Sequence, residues 1–536
     1  MHQALILKYL RGLKQQMSAS REKQNRQAQA GQTNPKTARE AQQRREQKRS
    51  SILYGLIALA FVAVVIVSLI WRTDIIPRMS TAAVIDGESY NAAEVNYYYQ
   101  SAYRNFVNQN SDFISYFGLD TSSSLKSQTV NETAAAMLGL ELEEGETQTW
   151  HDYFLDQALN NMTVIQASLK AAEAEGYAYP DGVQVQYEDS MSSLRSAAAA
   201  SGMSVGQYLK GNFGAGITEK VYGEQLLRVL RYSAYAKSYQ KSLVYSDSDL
   251  EAVYNEDRNS YDHVSYENAT ISGAAESTTD ADGNTVEPTE EESAAAMETA
   301  RATANEMLDA VENGEALEDL AETHDTTYYN NESGAYSTSV MSQWLFDDAR
   351  KDGDAAVLED GSTVYVVVFH GRSRNEDPRI DIRHILVSLG AGTIAEGEEG
   401  YEDEQAQLKA DAHAKAEELL AQWQSGAATE DSFGALAMAE SADGSKYDGG
   451  LYTNVYEGRM VTEFNDWCFD SARKPGDTGI VDTQYGAHVM YFVGSGIAWK
   501  TQASTVLQNE DYTEWEDGLV EGVSAELRSG GLKFVG

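Results

Sequence analysis

The amino-acid sequence predicts an α+β protein. A basic tail (1–51) leads into an N-terminal transmembrane helix (52–71) and a mostly α-helical domain (73–258). Two tandem copies of one small α+β unit follow (262–372 and 378–496), then a C-terminal helical segment (497–536). Three observations carry this reading. An uncharged apolar run divides a basic region from an acidic one; apolar residues recur at helical spacing between residues 92 and 254; and the second half of the chain repeats itself at a constant offset.

Bulk properties set the bounds. At 536 residues the chain has room for several hydrophobic cores, and 42% hydrophobic content excludes wholesale disorder. The single cysteine, Cys468, excludes an intrachain disulfide and any Cys-based metal site. Residues 1–50 hold 12 Lys/Arg against Glu22, Glu40 and Glu46, whereas residues 73–536 hold 28 Lys/Arg against 80 Asp/Glu, a net charge of −52. So acidic a body argues against nucleic-acid binding. It suits solubility in a crowded, cation-rich layer and attraction of basic unfolded clients.

The run Ile52–Trp71 has 20 residues without a charge. At about 1.5 Å rise per residue it would cross a hydrocarbon core of roughly 30 Å. Apolar residues cover every face, unlike a core helix, and no small-x-small cleavage site follows, unlike a signal peptide. Arg44, Arg45, Lys48 and Arg49 precede it, so the positive-inside rule puts residues 1–51 in the cytoplasm and everything after Arg72 outside the cell. The tail then serves as a topology determinant.

Beyond this run, Ala83-Val84-Ile85-Asp86-Gly87-Glu88 reads as a strand entering a turn, followed by a helix from Ala92 to Phe106 that contains Tyr97-Tyr98-Tyr99. Asp120 to Glu146 reads as loop with a short helix. Helices are expected over Ala158–Ala174, Tyr187–Ala200, Val205–Lys210 and Glu219–Tyr245, and one more is capped by Ser246-Asp247-Ser248-Asp249 and ends near Tyr254. His151 stands alone here, with no catalytic group at a telling spacing. Ser504–Arg528, also at helical spacing, is expected to pack back on the helices of residues 92–254.

Trp344–Phe369 aligns with Trp467–Phe492 at an offset of 123 without a gap, and WLFDDARKDGD against WCFDSARKPGD keeps eight of eleven residues. Each copy reads strand, long helix, variable loop, helix, two short strands. Cys468 replaces Leu345, which marks it as a core side chain. The copies differ between helix and tryptophan. Leu320 to Trp344 spans 24 residues but Leu436 to Trp467 spans 31, and the longer segment carries Asp443, Gly449, Gly450 and Met460. The second copy also has His384 and His488 on its strands. The first has Tyr365 at the His488 position and no histidine in Tyr266–Ile271. Two histidines absent from a sister copy point to function rather than packing. Asp280-Ala281-Asp282-Gly283-Asn284 has its glycine too early for a calcium loop and reads as a turn.

Residues 378–496 resemble the parvulin family of peptidyl-prolyl isomerases. The likeness rests on Arg383-His384-Ile385-Leu386-Val387, Gly449-Gly450, Gly458-Arg459-Met460-Val461-x-x-Phe464 and Thr483-x-Tyr485-Gly486-x-His488. The order of parts after Arg72 resembles the PrsA/SurA type of extracytoplasmic foldase. This resemblance implies a small antiparallel sheet with helices in each unit, the first unit degenerate. It also implies His384 and His488 as paired histidines, Thr483 beside them, Asp443 as the site acid, and Tyr452, Met460 and Phe464 around the proline ring. Gly449-Gly450-Leu451-Tyr452-Thr453 departs from the family's Gly-Gly-Asp-Leu-Gly, so Tyr452 stands where the pocket leucine is usual. Neither metal nor cofactor is implied, since rotation about X–Pro breaks no bond. The expected activity is membrane-anchored isomerisation of exported, partly folded clients. The alternatives are a client-binding chaperone whose parvulin units only bind, and an acidic wall scaffold. Client identity and oligomeric state are not legible.

Overall fold

The computed structural model describes residues 56–65, 74–140, 146–280 and 283–536. They fall in two compact units, Met1–Ser80 and Thr81–Gly536.

The first unit corrects the expected fold class. Among the described residues no helix is long and apolar enough to cross a membrane. Of the span Ile52–Trp71, residues 56–65 are described as a helix with exposed Leu56, Leu59 and Phe61. The basic tail and the rest of the expected span lie outside the described residues. Further along this unit, the short helix Ile75–Met79 ends where Ser80 Oγ donates to the Ile76 carbonyl at 2.8 Å.

The second unit is mixed α+β: a helical region followed by antiparallel sheets. It opens with a hairpin, Thr81–Ile85 and Glu88–Asn91, whose turn residues Asp86 and Gly87 both take positive φ (48° and 79°), the twist that two-residue hairpins favour. Asn91 and Glu94 form a capping box that starts the helix Ala92–Gln109. Three successive tyrosines span most of a helix's circumference, so a helix carrying them must be enclosed. Tyr97 stacks on Phe213 and meets Tyr222 edge-on, the Tyr98 hydroxyl donates to Gln225 at 3.1 Å, and Tyr99 packs against Phe154. His151, solitary in the sequence, is buried with Nδ1 3.0 Å from the Tyr99 hydroxyl. Its helix, Trp150–Glu175, starts eight residues before the expected Ala158 because Thr149 caps it by accepting from Asp152 N. The helices Asp181–Ala200, Val205–Phe213 and Glu219–Ser242 complete this region.

The chain returns to the same region at its far end. In the helix Ala498–Val520, Trp515 stacks on Tyr239 with ring centres 4.4 Å apart, and Tyr245 donates to Asp511 at 2.8 Å. The strand Ala525–Leu527 then pairs with Thr81–Ile85, placing Ala83 opposite Leu527.

Between these parts lie two four-stranded antiparallel sheets of identical order. In the first, Thr327–Ala335, Asp262–Ser272, Thr363–Arg374 and Ala355–Asp360 lie side by side; in the second, Leu451–Val455, Pro378–Ser388, Gly486–Ile497 and Thr478–Thr483 do. A long helix covers one face of each (Glu290–Glu312; Tyr401–Ser425) and a short one the other (Val340–Leu345; Thr462–Cys468). The repeated Lys-x-Gly-Asp motif makes the same clamp twice. Lys351 N donates to Asp354 Oδ2 (3.0 Å), Gly353 N to the Phe369 carbonyl (2.8 Å) and Phe369 N to the Asp354 carbonyl (2.8 Å). Lys474, Gly476, Phe492 and Asp477 reproduce these bonds at 2.9, 2.8 and 2.8 Å. Above each clamp an arginine lies over the repeated tryptophan, Arg350 on Trp344 at 4.7 Å and Arg473 on Trp467 at 4.0 Å. Cys468 is buried beneath, its thiol pushed up to about 12 by desolvation. Asp280 and Asn284 are hydrogen-bonded to each other between Thr278–Thr279 and Thr285–Val286.

Candidate active site

In the second sheet, Pro378–Ser388 and Gly486–Ile497 pair antiparallel, with His384 opposite Met490 and Leu386 opposite His488. His384 and His488 are thus diagonal neighbours on one face, close enough for direct contact. Their Nδ1 atoms lie 3.1 Å apart and the rings stack with centres 5.3 Å apart. Both are buried, 2% and 5% exposed, so each ring nitrogen needs a partner. At one end Thr483 Oγ1 lies 2.9 Å from His488 Nε2; at the other, His384 Nε2 lies 3.3 Å from Asp443 Oδ1 and 3.2 Å from Ser445 Oγ.

One set of neutral tautomers satisfies this row. Thr483 donates to His488 Nε2, His488 Nδ1–H to His384 Nδ1, and His384 Nε2–H to the Asp443 carboxylate. The hydrogen bond from His384, with help from Ser445 and against the pull of burial, holds the Asp443 carboxyl well below the usual carboxylate range. Burial, reinforced by neighbouring His384, brings His488 down to about 4, so its ring is neutral near pH 7.

Asp443 sits at the head of a 3-10 turn, Gly444–Asp448, and its Oδ1 accepts from Ser445 N at 2.8 Å, from the Ser445 hydroxyl and from Tyr452 OH at 3.2 Å. Ser441 Oγ ties this loop to the sheet by accepting from Leu386 N at 3.0 Å. Gly450 follows at φ 74°, where a Cβ would fall 2.2 Å from the His384 carbonyl oxygen; its own carbonyl accepts from His384 N at 2.9 Å. No side chain fits there. Burial and the nearby Asp443 charge push the Tyr452 hydroxyl upward, so it stays a donor.

Phe464, on the helix Thr462–Cys468, stands edge-on to both histidines, with centres 5.4 Å from His384 and 5.3 Å from His488. Tyr452 flanks His384 with centres 5.3 Å apart. Met460 packs half-buried on the same apolar cluster, but it precedes this helix rather than sharing its face. The structure therefore brings His384, Asp443, Thr483, His488, Tyr452 and Phe464 into one connected group and leaves Met460 at its apolar edge. Ser445 was missed in the sequence, where Asp-Gly-Ser reads as an ordinary turn.

The first sheet makes no such group. Its register puts Val367 opposite Asn268 and Tyr365 opposite Thr270, so Asn268 stands where the second sheet has His384. The strand Asp262–Ser272 runs further than the sequence suggested and does include a histidine, His263, but at its far end beside Asn375.

Residues 365–493 match the PPIC-type PPIASE domain. The chain carries a peptidyl-prolyl cis-trans isomerase domain. No curated protein matches the chain significantly. Among solved structures, PrsA from Bacillus anthracis is similar at 23% identity over 30% of this chain and 60% of its own, with a TM-score of 0.17. The chain thus spans under two thirds of that relative. PrsA from Bacillus subtilis is similar at 12% identity over 73% of this chain and 94% of its own (TM-score 0.24). A structure from the study of the SurA-like chaperones PEB4 and Cj1289 of Campylobacter jejuni is similar at 24% identity over 26% and 51% (TM-score 0.16). With TM-scores below 0.5, these likenesses carry no argument, and the isomerase domain rests on the family match.

Proposed function

We propose that the isomerase domain acts on X–Pro bonds of partly folded exported proteins, with His384, Asp443, Thr483 and His488 as its polar group and Tyr452, Met460 and Phe464 as the walls around the proline ring. The observation that carries this is the continuous row from Thr483 through both histidines to Asp443, backed by Phe464. The barrier to rotation, about 20 kcal/mol, comes from amide resonance. That resonance separates charge, and water stabilises the separation. A buried site with a neutral His488 ring and an apolar wall withdraws the water and so favours the less polar, twisted amide. The Asp443 carboxylate fixes the direction of the local field and is itself held by His384, Ser445 and Tyr452. No nucleophile is needed, because no bond is cleaved.

An extracytoplasmic setting suits the acidity of residues 73–536, whose net charge of −52 would draw basic unfolded chains. Protease added to intact cells should then degrade this region; its protection would overturn the location. A binding or spacing role for residues 262–372 is favoured by Asn268 and Tyr365 in place of the histidines. The deciding assay is isomerisation of a proline-containing peptide by the full chain. The His384→Ala/His488→Ala/Met460→Ala variant should lose activity, and wild-type rates from it would sink the assignment.

A further inference from the structure

The seven residues by which the second copy exceeds the first fall in the segment that includes the Gly444–Asp448 turn, and this turn touches the helical domain as well as the histidines. Lys446 Nζ lies 2.7 Å from Asp189 Oδ2, and Tyr447 OH donates to the same oxygen at 3.0 Å. Lys237 pairs with Asp448. At the start of the helix Asp181–Ala200, Gly182 lies so near the turn that a Cβ would stand 2.4 Å from the Tyr447 carbonyl oxygen. From its own domain the turn is held by Arg383 Nη1, which donates to the carbonyls of Asp448 (2.8 Å) and Gly449 (3.0 Å).

A cleft opens beside these struts. Its volume is about 480 Å³, and Tyr177, Val183, Leu230, Lys241, Ser445 and Tyr447 help line it. Next to such a gap, the polar bonds that span it and the close approach of Gly182 together set the position of the turn. Asp443 and Ser445 lie within three residues of Lys446, in one rigid turn, so a shift at Lys446 or Tyr447 reaches the oxygen that faces His384 Nε2.

We propose that Asp189, on the helical domain, is a positioning residue for the isomerase reaction, holding the Asp443 turn against the histidine pair. This rests on the reading of His384, Asp443 and His488 as the reaction site. The Asp189 carboxylate is 41% exposed, so its ion pair contributes little to global stability and its removal acts on geometry. It follows that the helical domain is part of the catalytic unit.

The test uses the full chain and a proline-containing peptide. Asp189→Ala should fold normally, lower kcat about tenfold and leave KM within about twofold. Asp189→Asn, which keeps an acceptor for Tyr447 OH, should recover part of the loss. Arg301→Ala, which breaks an exposed 2.8 Å ion pair with Glu359 in the first copy (262–372), should match wild type. The acid limb of the Asp189→Ala pH–rate profile, set by His488, should also move downward. The groups facing His488 are His384, Thr483, Asp443 and Asp482, and a loosened turn weakens the Asp443 charge that favours its protonated form. A destabilised protein would instead scale the whole profile down without moving it, and that result overturns the proposal. So does wild-type kcat with an unmoved limb in Asp189→Ala while Asp443→Ala is impaired. If Asp443→Ala is also fully active, the site reading itself fails. Should Asp189→Ala not fold, Tyr447→Phe removes one of the same bonds and carries the same expectations.

Discussion

Burial pushes His488 from its ordinary value near 6.5 down to about 4, while Asp443 is held below the usual carboxylate range. Both shifts mean that the unfolded chain binds more protons than the folded one, so acid destabilises the fold. The His488 contribution is complete above about pH 6.5 and is lost between there and about pH 4; the Asp443 contribution begins to fall below about pH 4. Urea midpoints should therefore drop from pH 7 to pH 4, whereas kcat/KM should stay level until about pH 4, where the folded protein's His488 gains a proton that its row cannot accommodate. Activity that begins to fall near pH 6.5, or urea midpoints that stay flat to pH 4, would contradict this. Phe464→Ala, at a buried position touching both rings, should cost about 3 kcal/mol, whereas half-buried Met460→Ala should fold well and lose activity. The histidines and Asp443 were legible because a sister copy lacks them. Ser445 was not, because only turn geometry brings it to the site, and the correspondence of Asn268 in the first sheet with His384 shows only in the strand register.

At the scale of elements, the repeat was the most informative signal. Its invariant residues turn out to make one tryptophan–arginine stack and one backbone clamp in each copy, structural features that persist without the histidine pair. Asp477→Ala should remove the clamp's one side-chain bond and cost about 1 kcal/mol in thermal or urea unfolding, and Asp354→Ala should do the same in the first copy. Gly450→Ala should be worse than either, since both its φ and the His384 carbonyl forbid a Cβ. Helix starts were read less well. Thr149 caps a helix in a stretch where the apolar spacing is obscured by polar side chains. The 20-residue apolar run was read from hydropathy, which reports composition alone; among the described residues no helix is long and apolar enough to cross a membrane.

At the scale of the molecule, a net charge of −52 over residues 73–536 repels itself. Salt shortens the screening length from about 30 Å at 0.01 M to about 8 Å at 0.15 M, so the melting temperature should rise over that range. A fall would mean that specific ion pairs outweigh the repulsion. The parts meet at Arg374, whose guanidinium lies 3.8 Å from the centre of the Tyr254 ring and 4.5 Å from that of Trp499, and which also pairs with Glu251. Nothing in the sequence marks this junction, because its members are scattered over more than 200 residues. The pairing of Ala525–Leu527 with Thr81–Ile85 has a consequence for biosynthesis. The first hairpin leaves the ribosome more than 400 residues before the strand that completes its sheet, so the helical domain waits, unfinished, through the synthesis of both sheet units. These close over shorter loops and are free to fold first. The isomerase, whose last strand ends at Ile497, then has an incomplete neighbour on its own chain until Ala525–Leu527 emerge.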